Sequence, residues 1–166
     1  KVKTLSADEE VPENLLGLYK NENGNIIPIN TPQEGCMAVY YRVNRYYVDV
    51  FNRDCIAYFI ECTHQRYYKR FKERFGRSLK GFFTDEPQFG NSGDAPWSQV
   101  FPEYFRNTYG YELLPSLPLL FVENEGAYAF RSDFYNMVST LFRESFIKQI
   151  YDWCTAHNCK LTGHMM

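Results

Sequence analysis

The chain has 166 residues, a length that fits about one domain. Its 18 basic and 20 acidic residues give a formal net charge of −2, so there is no basic excess to drive nucleic-acid binding. No apolar run approaches the ~20 residues of a membrane helix, and the N-terminus has no basic segment leading into an apolar one.

The first 50 residues read as β structure. Residues 15–20 and 26–29 flank Asn23-Gly24, a pair that accepts positive φ and closes a tight hairpin. In residues 36–43, Met37, Val39, Tyr41 and Val43 alternate with Ala38, Tyr40 and Arg42, the period of a strand. Asn44-Arg45 offers a second tight turn, after which residues 46–51 resume an extended pattern. Together these strands predict an antiparallel meander.

After Phe51 the period changes. Ile56, Phe59, Ile60, Thr63, Tyr67, Phe71 and Phe75 form the stripe of one amphipathic helix. Asn52 caps its start and Gly76 stops it, while Lys69, Arg70, Lys72 and Arg74 oppose the helix dipole near its end. Residues 79–84 then form a short buried strand. Residues 88–96 are a loop rich in turn formers, and Pro102 suits the first turn of a short helix stopped by Gly110. Residues 113–121, with Pro115 and Pro118, are turn-rich and helical. The longest helix is predicted over 126–157 with Asn158 as its stop, followed by a strand at 160–164. Strand–helix–strand connections of this length require parallel neighbours with right-handed crossovers. Two architectures fit: a doubly wound sheet, or a segment of a (β/α)8 barrel. A complete barrel needs about 200–250 residues, so this chain can supply only part of one. The chain opens on Lys1 and closes on a strand-like run, and it reads as a piece of a longer protein.

Chemistry concentrates at Phe82-Phe83-Thr84-Asp85-Glu86-Pro87, where an apolar strand ends in two carboxylates. In parallel α/β folds the C-terminal strand ends form the active face. A carboxyl group partly desolvated there is suited to proton donation. Alternation along a strand would send Asp85 and Glu86 to opposite sides and give them different tasks. Gly163-His164 holds the equivalent place after the last strand. His164 is a candidate to donate to a sugar hydroxyl or orient a carboxylate. Trp97, with Phe89, Phe101 and Tyr104, supplies aromatic faces near the loop, and Arg131 and Asp133 could pair with its carboxylates. Each of these residues is as readily explained by ordinary packing or surface pairing. His64 reads as structural and His157 as a helix-end cap. The chain has no phosphate-binding glycine loop, Gly-x-Ser-x-Gly or His-Glu-x-x-His.

Five cysteines, Cys36, Cys55, Cys62, Cys154 and Cys159, leave at least one unpaired within the chain. Cys55 and Cys62 lie about 10 Å apart along the predicted helix, beyond disulfide reach. No Cys/His spacing suits zinc, so no metal and no cofactor is expected. Free thiols favour a reducing, cytoplasmic setting.

The run YVDVFNRDCIAYFIECTHQRYYKRF, the strand GFFTDEPQF and the later LTGHMM together resemble bacterial glycoside hydrolase-like proteins related to the α-L-rhamnosidase-type and clan A (β/α)8 hydrolases. The resemblance covers about residues 46–166. It implies that Glu86 is the catalytic carboxylate with Asp85 beside it, and that His164 lies near the substrate on the same face. Gln65 stands where relatives are expected to carry Glu. The second carboxylate is expected on a later strand.

The expected organisation is therefore a β-rich insertion over 1–51 and the βα units of an incomplete (β/α)8 catalytic domain over 52–166. The expected function is glycosidic bond hydrolysis by paired carboxylates, only one of which lies in this chain. The site would be Glu86 and Asp85, with His164, Trp97 and Arg131 binding substrate. The expected partner is a carbohydrate, with no nucleic acid and no membrane. The open strand edges of a partial barrel would favour self-association. The competing readings are a non-catalytic carbohydrate-binding or interaction module, and a complete doubly wound domain with another small ligand.

Overall fold

The computed structural model describes residues 1–6, 8–89 and 94–164. Its contacts divide the chain into two units, Lys1–Asn44 with Ser92–Met137, and Arg45–Asn91 with Val138–Met166. These bounds differ from the division expected after Phe51. Each unit is assembled from two segments distant in sequence.

In the first unit, strands β1 (Val2–Thr4), β2 (Leu15–Glu22), β3 (Asn25–Ile29) and β4 (Met37–Tyr40) form an antiparallel sheet in the order β1-β4-β2-β3. The predicted hairpin is present. Asn23 and Gly24 take φ of 54° and 92°, and the Gly24 N–H donates to Asn21 Oδ1 at 2.9 Å. The three-residue β1 has no counterpart in the sequence reading. It seats β4 between two neighbours, so the sheet is not a simple meander. Leu5, Leu18, Cys36 and Ala38 form a buried cluster against which Val11 and Ile29 pack.

The helical segment of this unit starts at α3 (Phe101–Tyr109), with Pro102 in its first turn and Gly110 closing it at φ 79°. A 3-10 stretch follows at Leu114–Leu120, and then α4 (Ala127–Leu141). Phe101, Phe105, Leu113, Leu117, Phe130 and Phe134 are all buried. Two long-range hydrogen bonds tie this segment to the sheet. The Tyr19 hydroxyl donates to the Leu114 carbonyl at 2.5 Å, and Asn124 Nδ2 donates to the Gly24 carbonyl at 2.6 Å.

In the second unit, residues 46–51 are turns rather than the expected strand. Asp49 explains the difference: Oδ1 accepts from the Phe51 N–H at 3.0 Å and the Asp49 carbonyl accepts from the Asn52 N–H at 3.3 Å, which folds the chain back on itself. Asn52 then caps α1 (Arg53–Cys62), its Oδ1 accepting from the Asp54 and Cys55 N–H groups at 3.0 and 3.3 Å.

The long amphipathic stripe is not one helix. It breaks at Thr63 (φ −117°, ψ −80°), resumes as α2 (His64–Phe71) and ends in a 3-10 turn at Lys72–Arg74. The Thr63 hydroxyl donates back to the Phe59 carbonyl at 2.6 Å, sharing it with the Thr63 N–H at 3.0 Å, a back-bond of the kind that bends helices.

Strand β5 (Gly81–Asp85) follows. The predicted 126–157 helix runs without a break but passes through a π-helical stretch at Phe142–Ile147 before α5 (Lys148–Ala156). Within that stretch the buried Ser145 hydroxyl donates to the Phe51 carbonyl at 2.8 Å. Asn158, at φ 55°, ends the helix as expected. Strand β6 (Lys160–His164) then pairs parallel to β5, with Gly81 opposite Lys160 and Asp85 opposite His164.

The chain is thus a mixed α/β protein with two sheets. Among the described residues the parallel sheet holds two strands, and no closed barrel is formed. No described helix is long and apolar enough to cross a membrane.

Candidate functional site

Alternation along β5 and β6 gives the parallel sheet two unlike faces. Phe82, Thr84, Leu161 and Gly163 are half-buried, whereas Phe83, Asp85, Lys160, Thr162 and His164 are exposed. The half-buried face rests on an aromatic layer. The His64 ring lies 4.3 Å from the Phe82 ring, and Trp153, Tyr67 and Phe75 surround Phe82 at 5.8–6.2 Å.

His64 is buried, and burial pushes its pKa down to about 4, so the ring is neutral there. The Thr63 hydroxyl has spent its one hydrogen on the Phe59 carbonyl, so at 2.8 Å from His64 Nδ1 it acts as acceptor and assigns the proton to Nδ1. Trp153 Nε1 donates to Gln65 Oε1 at 3.2 Å, which gives Gln65 a structural task. His157 caps α5 as expected, with Nδ1 2.7 Å from the Trp153 carbonyl and its ring stacked on Trp153 at 3.9 Å. His64 and His157 are therefore packing residues of the layer that supports β5.

At the C-terminal end of this sheet stand Asp85, Glu86 and His164. His164 Nδ1 is 3.4 Å from Asp85 Oδ1, and one ligand atom from each of the three residues lies within 4.8 Å of the other two. This corrects the expectation that Asp85 and Glu86 diverge. Strand alternation ends at Asp85, because Glu86 takes φ 41° and turns its carboxylate back toward its neighbour. The fully buried Pro87 follows, and the Gln88 N–H donates to the Tyr47 hydroxyl at 3.0 Å, which fixes the turn from outside.

The partial desolvation expected of these carboxylates is also absent. The side chains of Asp85 and His164 are 75% and 69% exposed, and Glu86 is exposed as well. The His164 ring meets the exposed Phe83 ring edge-on at 5.2 Å, so an apolar surface borders the polar trio. Two carboxylates and an imidazole this close can hydrogen-bond adjacent hydroxyls, exchange a proton with them, or supply oxygen and nitrogen ligands to a divalent cation.

Gly163 is what lets the two strands meet here. At φ 156°, a Cβ on this residue would stand 2.0 Å from the Thr84 carbonyl oxygen. The glycine therefore holds Asp85 and His164 in register.

Trp97 and Arg131 belong to the other unit. Trp97 stacks on Tyr41 at 6.2 Å and meets Phe101 edge-on at 5.9 Å. Its buried Nε1 has no hydrogen-bond partner among the described residues. Arg131 donates to the carbonyls of Leu119 and Val122 at 2.7 and 2.8 Å and to Glu123 Oε1 at 2.7 Å, so its guanidinium braces the 119–123 turn. Asp133 accepts from the Tyr111 hydroxyl at 2.8 Å. The loop at 88–96 lies partly outside the described residues. The contribution of Phe83 to the rim was not read from the sequence. Its alternation with Phe82 was the available signal.

No protein-family profile and no curated protein matches the chain. Among solved structures it is similar to a rhamnosidase from Novosphingobium sp. PP1Y, with 18% sequence identity and a TM-score of 0.56. The match covers 90% of this chain and 13% of that enzyme, so the likeness is one of fold over a small part of a much longer protein.

Proposed function

We propose that the chain is part of the catalytic domain of a glycoside hydrolase of the (β/α)8 kind, and that Glu86 is its general acid/base or nucleophile. The observation that carries this reading is the convergence of Asp85, Glu86 and His164 on the C-terminal ends of two parallel strands. The fold likeness to part of a rhamnosidase supports it. Glycosidic bond cleavage needs two carboxyl groups flanking the glycosidic oxygen, about 5–5.5 Å apart for retention and about 6.5–9.5 Å for inversion. In this reading Glu86 is one of them, and Asp85 with His164 orients the sugar through its hydroxyls. The second carboxylate comes from a further strand of a longer polypeptide, which would also cover the trio and desolvate Glu86.

The test is steady-state hydrolysis of aryl glycosides, aryl α-L-rhamnosides first, by the longer polypeptide containing this chain. Glu86→Gln keeps the shape of the side chain and removes the ionisable group, so kcat falls by at least ~10²-fold. Asp85→Asn changes mainly KM. Unchanged kcat in both variants would remove this strand end from the chemistry. Robust turnover by the 166-residue chain alone would refute the need for a second carboxylate from outside it.

A further inference from the structure

The stretch of chain that leads into β5 carries charge opposite to that of the carboxylates at its far end. Arg66, Lys69 and Arg70 are exposed on α2, and Lys72 and Arg74 are exposed on the 3-10 turn that follows. Arg77 and Lys80 lead into β5, and the Lys160 N–H donates to the Lys80 carbonyl at 3.0 Å, which brings an eighth cation beside them. Among the described residues, none of these eight takes part in an ion pair. Glu73 is the one acidic residue between Arg66 and Lys80. The patch holds eight of the 18 cations of the chain, and the rest of the protein carries ten cations against nineteen anions.

Helix-dipole compensation explains one or two cations in a last turn, where the effect is confined. It does not explain cations that continue past the helix to Lys80 and across to Lys160. Two of the heads rest on rings: the Arg70 guanidinium is 5.5 Å from the centre of Phe71, and Lys72 Nζ is 5.9 Å from the centre of Tyr68. Such contacts hold charge in place without neutralising it. Tyr67 stands among them, 53% exposed as a residue, with its ring edge-on to Phe82 at 6.1 Å.

We propose that this surface binds an anionic polysaccharide, a chain of sugars bearing carboxylate or sulfate groups. The cations meet its charges and Tyr67 stacks on a sugar face. The preference for a glycan over other polyanions rests on the glycosidase reading, and two features of the patch agree with it. An anionic lipid surface would meet the same cations, but the face opposite them is spent on the protein interior, where His64 and Phe75 are buried, so apolar insertion adds nothing to that attraction. Duplex DNA carries a charge every ~1.7 Å along a stiff rod, which the acidic remainder of this protein would repel. A flexible glycan with at most a charge or two per sugar can stay within the patch.

The experiment is the anisotropy of a fluorescein-labelled alginate oligomer titrated with the 166-residue chain at about 50 and about 200 mM salt, with unlabelled alginate, neutral dextran, a short DNA duplex and phosphatidylserine vesicles as competitors. The expected result is binding that weakens at least ~10-fold between the two salt concentrations. It weakens as much again in Lys69→Glu/Arg70→Glu and in the milder Lys69→Gln/Arg70→Gln, while Lys20→Glu binds as the parent does. A thermal midpoint within about 2 °C of the parent shows that the variants are folded. Absence of binding, equal binding by the charge variants, or stronger competition from the duplex or the vesicles than from alginate would overturn the proposal. The kinetic test reads turnover at Glu86 and this test reads salt-dependent binding at Lys69 and Arg70, so the two fail independently.

Discussion

Replacing Gly163 with alanine is the sharpest probe of how β5 and β6 meet. The added Cβ would lie 2.0 Å from the Thr84 carbonyl oxygen and 2.7 Å from Thr84 Cγ2. The obstructing oxygen is backbone, held in the parallel ladder where Thr84 opposes Gly163, so no side-chain rotation relieves the contact. The strands must separate by about an ångström. Overpacking of this kind costs about 1–3 kcal/mol, and holding a non-glycine residue at φ 156° adds about 1–3 kcal/mol. The combined loss of about 2–6 kcal/mol is a large share of a native stability of ~5–15 kcal/mol. With a urea m-value of about 2 kcal/mol/M, the midpoint moves down by about 1–3 M. Gly110→Ala is the comparator, because Gly110 has φ 79° but no atom within 4 Å of the added Cβ. It bears only the left-handed penalty of about 1–2 kcal/mol, a shift of about 0.5–1 M. Urea unfolding followed by circular dichroism measures both variants. A Gly163→Ala midpoint no lower than that of Gly110→Ala would refute the close strand approach.

Further outcomes follow from individual contacts. The folded-state pKa of His64, about 4, lies below its ordinary 6.5, so between those values the unfolded chain takes up a proton that the folded chain refuses. Its contribution to stability is full above about pH 6.5 and is lost as pH falls toward 4, by at most about 3 kcal/mol; His64→Phe flattens that limb of the stability–pH curve measured by urea unfolding. Tyr19→Phe strands the Leu114 carbonyl and lowers stability by about 1–2 kcal/mol, read as a lower urea midpoint at unchanged m-value. Asn52→Ala removes the acceptor of two N–H groups at the start of α1 and costs about 1 kcal/mol, whereas Asn52→Asp restores most of it in the same assay.

The sequence by itself determined the features set by local chemistry. Asn23-Gly24 specified its hairpin because both residues accept positive φ, and Asn52 specified a helix start because its side chain reaches the first free N–H groups. Gly110 and Asn158 specified helix ends for the same conformational reason. The parallel pairing of the strands at 81–85 and 160–164 was also legible, because a crossover of that length cannot close a hairpin.

Tertiary structure decided the rest. Thr63 reads as one more member of a helical stripe until its hydroxyl takes the Phe59 carbonyl and the His64 ring beside it is drawn into the aromatic layer under β5. Residues 46–51 read as a strand because strand propensity cannot register one aspartate side chain closing a turn. The pairing of residues 1–44 with 92–137 depends on burial between segments that no local pattern connects. At the candidate site, alternation placed Asp85 and Glu86 on opposite sides, and a single backbone rotation at Glu86 brought them together. A positive φ at a glutamate is unfavourable by itself and persists where the surrounding packing, here the buried Pro87 and the Gln88–Tyr47 hydrogen bond, holds the turn that follows.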